Sequence, residues 1–364
     1  MNIKFTDLYK LVRNKKKLFN KISYLIKNSK FIGGEEVLSF EKNFSKFTGG
    51  KYCVSVANGT DALEIAIKSL NLRKGTEIIV PNNTWISTAE AVVSNNFKVV
   101  FCDVDLRDYT INLKDLENKI NKKTSAIIAV HLYGNPANLS GIKKVIKNRK
   151  IKIIEDCAQA HGAYINKKHV GTFGAIGTFS FFPGKNLGAF GDGGAIITNS
   201  KKIKDFCLKM RNHGAMKKYD HSFSGRNSRL DTIQAGILNI KLKTYGKTIS
   251  RRLYLAKLYF KELKILNKIN LFQLNKKNQS AFHQFVIRTK YKNQLEKFLN
   301  KLGIETMTHY PYMLNELKFF NSNKKLKNSY KLGSQILSLP ISEEHKKKEI
   351  IYICKKIKNF FNEK

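Results

Sequence analysis

The sequence predicts an α/β protein in which a large domain with a mostly parallel, seven-stranded sheet precedes a smaller α+β domain. Short, continuous apolar strands alternate with helices, which is typical of a parallel sheet covered on both faces. From about Arg251 this alternation gives way to a long helix, two further strand patterns and a last helix. The length of 364 residues also favours one large domain plus a smaller one. We expect the large domain at 1–250 and the small domain at 251–364.

The seven strands of the large domain are predicted from runs of apolar and β-branched residues. Helical patterns separate most of them, and the last two flank a glycine-rich loop that contains Lys185. The strand predictions are 51–56, 76–81, 98–104, 125–134, 151–158, 177–182 and 194–199.

The small domain has two predicted strands, at 283–289 and 303–310. Its last helix is amphipathic, so we expect one face of that helix to dock on the rest of the protein. The residues on this face are Ile350, Ile351, Cys354, Ile357 and Phe361.

Composition and charge argue against several other classes of protein. The formal net charge of +40 comes from lysines spread over almost every predicted helix. Because nucleic-acid binders concentrate charge or show a readout motif, we interpret this charge as a solvated surface that aids encounter with anionic small molecules. No apolar run approaches the roughly 20 residues that span a bilayer, and the N-terminal stretch lacks the features of a secretory signal.

The cysteines predict neither disulfides nor a metal site. There are five of them, widely separated, and no C-x-x-C pair occurs. We therefore expect a cytoplasmic protein with no bound metal, no specific nucleic-acid partner and no membrane association.

Ligands of parallel sheets bind at the carboxyl ends of the strands, so the residues that follow each strand are candidates for a site. In "ANGTDALEIA", Gly59 and Thr60 precede a helix whose free N–H groups suit a phosphate. The alternative is an ordinary N-cap at Thr60 beside a turn glycine. Trp85, the only tryptophan, follows the second strand and is either a platform for a ring or a core or interface aromatic.

Three further candidates follow later strands. Asp156 ends a buried strand, where a carboxylate needs a partner such as a protonated ring nitrogen, a helix terminus or an arginine. Gln159 is placed to hydrogen-bond the same ligand, and Ser180 offers a hydroxyl five residues before Lys185. Lys185 lies among aromatic and small residues, unlike the many solvated lysines of this chain, so its amine is either held for chemistry or snorkels out of a turn. Together these parts are typical of enzymes that use pyridoxal 5′-phosphate.

The sequence resembles the DegT–DnrJ–StrS family of sugar aminotransferases over nearly its whole length. The stretches that carry the resemblance are "NGTDALEIAIKSL", "PNNTWISTAEAV", "VHLYG", "IIEDCAQAHGA", "FSFFPGKNLGAFGDGGAI" and "GRNSRLDTIQAGIL". It implies the aspartate-aminotransferase type of fold (fold type I of pyridoxal phosphate enzymes), a homodimer with shared active sites, and pyridoxal 5′-phosphate as cofactor.

The resemblance also implies a role for each candidate residue. Lys185 binds the cofactor covalently, and Asp156 keeps the pyridine nitrogen protonated. Trp85 stacks on the ring, and Gln159 contacts its hydroxyl. The remaining matched residues hold the phosphate; they are Gly59, Thr60 and Ser180, with Asn227 supplied by the other subunit. The helix after Asn227 carries Leu230, Ile233, Ile237 and Ile240 on one stripe, which we expect to be buried, with a two-fold interface as one place for it.

The implied reaction is transamination of a nucleotide-linked keto sugar with L-glutamate as donor, for surface polysaccharide or other glycan biosynthesis. The loop around Lys185 resembles members that aminate a dTDP-linked 3-keto-6-deoxyhexose. The alternatives are a UDP-linked keto sugar, amination at the 4-position, or an amino-acid aminotransferase. A branch that dehydrates sugars has histidine in place of this lysine, which disfavours that activity. His309 and Tyr310 either line the sugar pocket or cap a strand of the small domain. The stretch "YMLNEL" departs from the polar loop of the family and leaves the exact sugar open.

Overall fold

The computed structural model describes residues 2–320 and 326–363. Its main sheet has seven strands, as predicted. The strands of this sheet and of the smaller sheets are, in chain order, β1 (Tyr52–Val56), β2 (Glu77–Pro81), β3 (Lys98–Cys102), β4 (Thr124–Val130), β5 (Lys152–Asp156), β6 (Tyr164–Ile165), β7 (Lys168–His169), β8 (Ile176–Ser180), β9 (Gly194–Thr198), β10 (Asn270–Leu271), β11 (Asn278–Gln279), β12 (Phe285–Arg288) and β13 (Ile336–Leu339).

The order in the main sheet is β1-β9-β8-β5-β4-β2-β3. Only β9 runs against its neighbours, because it pairs antiparallel with both β1 and β8 while the other pairs are parallel. The carboxyl ends of the other six strands therefore meet at one edge. This confirms the predicted α/β class with a mostly parallel sheet.

Helices cover the main sheet and fill the small domain. They are α1 (Leu8–Leu11), α2 (Lys15–Lys27), α3 (Gly34–Thr48), α4 (Gly59–Ser69), α5 (Ser87–Ser94), α6 (Leu113–Lys119), α7 (Leu139–Ile146), α8 (Lys201–Met210), α9 (Thr232–Leu242), α10 (Tyr245–Leu263), α11 (Lys292–Lys301), α12 (Lys327–Gln335) and α13 (Lys347–Asn362). Of those in the described part of the chain, none has both the length and the apolar character needed to cross a membrane.

The part of the chain after the main sheet contains the sheet β10-β12-β13, against which α10 and α13 pack. The predicted docking face of α13 is buried at Ile350, Cys354, Ile357 and Phe361, whereas Ile351 is only partly buried. Strand contacts join residues on either side of position 250: β11 pairs with β6, and Ile3 bridges to Ile304.

Two strand predictions differ from the structure. The strand predicted at 125–134 ends at Val130, because the chain turns there and Tyr133 adopts a left-handed backbone with φ of 60°. The strand predicted at 303–310 is wrong, since this segment makes only isolated bridges, at Ile304 and Met307. In the second segment Met307, His309 and Tyr310 line a cavity instead of extending a sheet.

The predicted stripe on α9 is only partly covered within the chain. α9 packs on α2 and α3, and Leu230 and Ile237 are buried, whereas Ile233 and Ile240 are partly exposed.

Candidate functional site

A cavity of about 640 Å³ lies at the edge where the parallel strands end. Most of the residues singled out from the sequence line it, together with residues of the small domain and of the N-terminal segment. The predicted residues among them are Gly59, Thr60, Trp85, Asp156, Gln159, Ser180, Lys185, His309 and Tyr310. The fold thus brings together side chains that are far apart in sequence.

The first wall is the N-terminus of α4. Its N-cap is Asn58, whose side chain accepts a hydrogen bond from the Asp61 amide at 2.8 Å, so the alternative of an N-cap at Thr60 is wrong. The first N–H groups of the helix, at Gly59 and Thr60, have no intrahelical acceptor. A Cβ on Gly59 would lie 2.7 Å from the Cβ of Ser180, so only glycine allows β8 to approach this helix end. Backbone donors and the Ser180 hydroxyl form a cradle for an anion.

Asp156 ends β5 and is only 5% exposed. Its carboxylate accepts hydrogen bonds from Thr88 Oγ1 at 2.9 Å and from the Ala158 amide at 3.1 Å. Within the described residues it forms no ion pair, although a buried carboxylate is costly without a cationic partner. A protonated ring nitrogen of a ligand in the cavity would supply that partner.

Lys185 lies in a tight loop between β8 and β9. The loop closes with a hydrogen bond from the Lys185 amide to the Phe182 carbonyl at 2.8 Å. A Cβ on Gly188 would meet the Pro183 carbonyl oxygen at 2.4 Å, so this close turn requires glycine. Burial lowers the pKa of the Lys185 amine to about 8, and the nearby Asp156 carboxylate partly opposes this shift. Its amine is therefore far more often neutral near neutral pH than that of an ordinary lysine.

Gln159 links the end of the main sheet to cavity residues from the C-terminal part of the chain. Its Oε1 accepts from the Tyr133 amide at 2.6 Å, and its Nε2 donates to the Tyr310 hydroxyl at 3.0 Å. The Tyr133 hydroxyl donates to the His309 carbonyl, and His309 Nδ1 lies 2.9 Å from Ser338 Oγ on β13. Burial lowers the pKa of His309 to about 4, and the Lys185 amine adds to this effect, so His309 is neutral.

Trp85 stands at the mouth of the cavity. Its side chain is 58% exposed, and its ring lies 5.6 Å from that of Tyr310. Such exposure does not fit a core aromatic, and it leaves one ring face available to a planar ligand.

Asn227 does not line the cavity. It is exposed on the loop before α9, and it bridges to Asn212. Its neighbours hold the loop beside α4: Ser228 Oγ accepts from the Ala57 amide at 3.1 Å, and Arg226 pairs with Asp61 at 2.6 Å.

His283 and Arg252 are among the residues of the cavity wall that sequence reasoning missed. Arg252 is buried on α10 and pairs with Glu343 at 2.9 Å. His283 lies just before β12 and hydrogen-bonds Asn186, the residue after Lys185. The only signal was a histidine at the start of an apolar strand, and that pattern alone does not indicate which face the side chain occupies.

The chain is similar to known proteins in sequence and in fold. A model of the DegT/DnrJ/EryC1/StrS aminotransferase family matches residues 12–358. The dTDP-3-amino-3,6-dideoxy-α-D-galactopyranose transaminase of Aneurinibacillus thermoaerophilus is 37% identical over 362 residues, which cover 98% of this chain and 99% of that protein. The UDP-N-acetyl-3-dehydro-α-D-glucosamine 3-aminotransferase of Acidithiobacillus ferrooxidans is 37% identical over 335 residues, which cover 92% and 90%.

The crystal structure of DesV from S. venezuelae in complex with a ketimine intermediate superposes with a TM-score of 0.96. It is 30% identical in sequence, and the match covers 99% of this chain and 98% of that one.

Proposed function

Because the chain belongs to the DegT/DnrJ/EryC1/StrS aminotransferase family, we propose that it transfers an amino group from L-glutamate to a nucleotide-linked keto sugar. It is a pyridoxal-phosphate-dependent aminotransferase, as its family and structural neighbours show. The observation that carries the proposal is that Lys185, with its lowered pKa, and the buried carboxylate of Asp156 share one cavity with the anion cradle of α4.

The residues of the cavity fit pyridoxal 5′-phosphate. The amides of Gly59 and Thr60 and the Ser180 hydroxyl suit its phosphate. Asp156 suits its ring nitrogen, and the exposed face of Trp85 suits its ring. Gln159 has a side-chain donor at the cavity for its ring hydroxyl. When bound, the cofactor supplies an electron-withdrawing ring that stabilises negative charge on the substrate carbon that loses a proton.

In this proposal the protein contributes proton transfer and orientation. Asp156 would hold a proton on the ring nitrogen, because its carboxylate lines the cavity and accepts hydrogen bonds from Thr88 and Ala158. Lys185 Nζ would take the proton from the substrate carbon and deliver it to the carbon on the other side of the transferred nitrogen, since burial leaves part of its population neutral near neutral pH. Residues of the N-terminal segment, with His309 and Tyr310, also line the cavity, and in this proposal they face the sugar.

A dTDP-linked 3-keto-6-deoxyhexose is the first candidate substrate. The amino-acid sequence of the loop around Lys185 supports it, and so does the similarity of the chain to the transaminase from Aneurinibacillus thermoaerophilus. A UDP-linked 3-keto sugar is the second candidate, because the relative from Acidithiobacillus ferrooxidans has the same percentage identity.

A substrate panel tests the proposal. The protein is loaded with pyridoxal 5′-phosphate and L-glutamate and offered dTDP- and UDP-linked 3-keto and 4-keto sugars, with α-keto acids as separate arms. We expect a mass increase of about one unit, the exchange of a carbonyl oxygen for an amino group and one hydrogen, on a 3-keto nucleotide sugar. Amination of α-keto acids alone would show that the enzyme is an amino-acid aminotransferase.

We also propose a homodimer in which Asn227 reaches the phosphate of the other subunit. Asn227 is exposed, and its loop is held against the start of α4. Large apolar side chains on α2, on α3 and between them are solvent-exposed in the single chain, and a partner would cover them. They are Phe19, Ile26, Phe31, Ile32 and Leu38.

Mixing two inactive chains tests the shared site. Lys185→Ala removes the amine, and Asn227→Asp sets a negative charge against the partner's phosphate, so each homodimer is impaired. A mixed dimer has one intact site, so an equal mixture should recover about a quarter of native activity if subunits pair at random. In the matched control, Lys185→Ala chains are mixed with chains that carry both substitutions, and nothing should be recovered. If heterodimers form but activity does not return, Asn227 does not act across the interface.

A further inference from the structure

Tyr133 does not line the cavity, yet it hydrogen-bonds to several segments that form the cavity wall. It is only 1% exposed and lies in the turn after β4, where its backbone is left-handed. Bulky side chains rarely adopt this conformation, so the surrounding contacts must hold it. Its amide donates to Gln159 Oε1 at 2.6 Å, and its carbonyl accepts from the Gln284 amide at 3.3 Å. The backbone that carries the tyrosine ring is therefore fixed on both sides.

The backbone amide of Tyr133 sets the orientation of the Gln159 side chain. Gln159 Oε1 accepts from this amide, so Nε2 is the end that donates to the Tyr310 hydroxyl, at 3.0 Å. Gln159 and Tyr310 both line the cavity. The amide of Tyr133 thus determines that Gln159 offers a donor, rather than an acceptor, beside Tyr310.

The hydroxyl of Tyr133 joins two further segments of the wall. Asn83 Nδ2 donates to it at 3.1 Å, and the hydroxyl itself donates to the His309 carbonyl. Burial raises the pKa of this hydroxyl far above its ordinary value, so the proton that it donates is retained. Asn83 lies two residues before Trp85, and the residue after His309 is Tyr310. One oxygen atom therefore links the segments that carry these two aromatic rings, whose centroids are 5.6 Å apart.

We propose that Tyr133 is a positioning residue for the ring of pyridoxal 5′-phosphate. Its hydroxyl sets the spacing between Trp85 and Tyr310, and its amide orients Gln159. The role rests on the proposed function, in which Trp85 and Gln159 contact the cofactor ring. Without the hydroxyl, the segment of Tyr310 is no longer tied to that of Trp85, and the cofactor ring loses part of its support.

The single tryptophan of the chain provides a direct test, because Trp85 is one of the two linked rings. Tyr133→Phe removes the hydroxyl but keeps the buried ring and the backbone amide. In the full-length apoprotein we expect acrylamide to quench the fluorescence of Trp85 more strongly and its anisotropy to fall, since Tyr310 is held less firmly beside it. The dissociation constant of pyridoxal 5′-phosphate should rise by a factor of about 3 to 10, which is the effect of one lost hydrogen bond.

A matched variant separates this effect from a general loss of stability. Tyr259 is also fully buried, and its hydroxyl donates to the Pro340 carbonyl at 2.8 Å. It lies outside the lining of the cavity. Tyr259→Phe should therefore lower the thermal stability much as Tyr133→Phe does, but it should keep the native fluorescence of Trp85 and the native affinity for the cofactor.

Asn83→Ala breaks the same link from its other end, and it decides the matter if Tyr133→Phe does not fold. Asn83 Oδ1 has no partner within residues 2–320 and 326–363, so only the bond to Tyr133 is lost from this side chain there. Native fluorescence and native cofactor affinity in folded Tyr133→Phe or, failing that, in Asn83→Ala overturn the proposal, and so do equal changes in Tyr259→Phe. Because neither measurement involves glutamate or a sugar, that result would leave the assignment as a sugar aminotransferase intact.

Discussion

Lys185→Ala is expected to abolish the covalent link to pyridoxal 5′-phosphate and to lower the rate of transamination by a factor of about 10³ or more. The substitution removes both the amine that bonds to the cofactor and the group that moves the proton. The fold should survive, because the Lys185 side chain makes no hydrogen bond within the described residues and the loop is closed by backbone groups. Borohydride reduction followed by peptide mass analysis measures the link, and single-turnover kinetics measure the rate.

The chain provides a matched control for this experiment. Lys241 on α9 also has its pKa lowered to about 8 by burial, and it donates to the Gly188 carbonyl at 2.6 Å. It lies outside the lining of the main cavity. Lys241→Ala should therefore keep the link at Lys185. Near-native turnover in Lys185→Ala would show that another group performs the proton transfer.

Asp156→Asn is expected to lower turnover by about 10² to 10⁴ while the protein still folds and binds some cofactor. An amide cannot keep the ring nitrogen protonated, so the ring withdraws fewer electrons from the reacting carbon. Asparagine still offers an acceptor to the Thr88 hydroxyl, which preserves the local packing.

In Asp156→Asn, pre-steady-state rates measure the loss of turnover, and thermal unfolding shows whether the protein still folds. Asp105→Asn, which removes the half-buried carboxylate partner of exposed Arg107 rather than a group in the cavity, is the control and should leave the rates unchanged. Equal rates in Asp156→Asn and the native enzyme would remove this carboxylate from the mechanism.

The parallel part of the fold was predictable because each strand is a short apolar run followed by a polar or glycine-containing turn. Strand ends such as Asp156 and Ser180 fall at the carboxyl edge for that reason alone. The segment 303–310 was wrongly predicted to be a strand. Its apolar residues face a cavity and a neighbouring element at isolated points, and this spacing resembles the alternation of apolar residues in a strand.

Most of the cavity residues singled out from the sequence follow strands of the main sheet, as Lys185 and Asp156 do. His283 and Arg252 come from the later part of the chain, outside the main sheet, and only the folded structure brings them into the cavity wall. The sequence offers two possible N-cap side chains, Asn58 and Thr60, on either side of Gly59, and only the structure shows that Asn58 is the one used.

The position of β1 has a consequence for how the protein folds during synthesis. In the main sheet β1 is bonded to β9 alone, and Tyr52 pairs with Thr198, far along the chain. The ribosome must therefore release most of the large domain before β1 has a partner, and contacts this distant in sequence form slowly. The start of α4, which follows β1, takes its final place beside Ser180 only then. We expect a nascent chain truncated before β9 to lack affinity for pyridoxal 5′-phosphate, even though Asp156 has already been made.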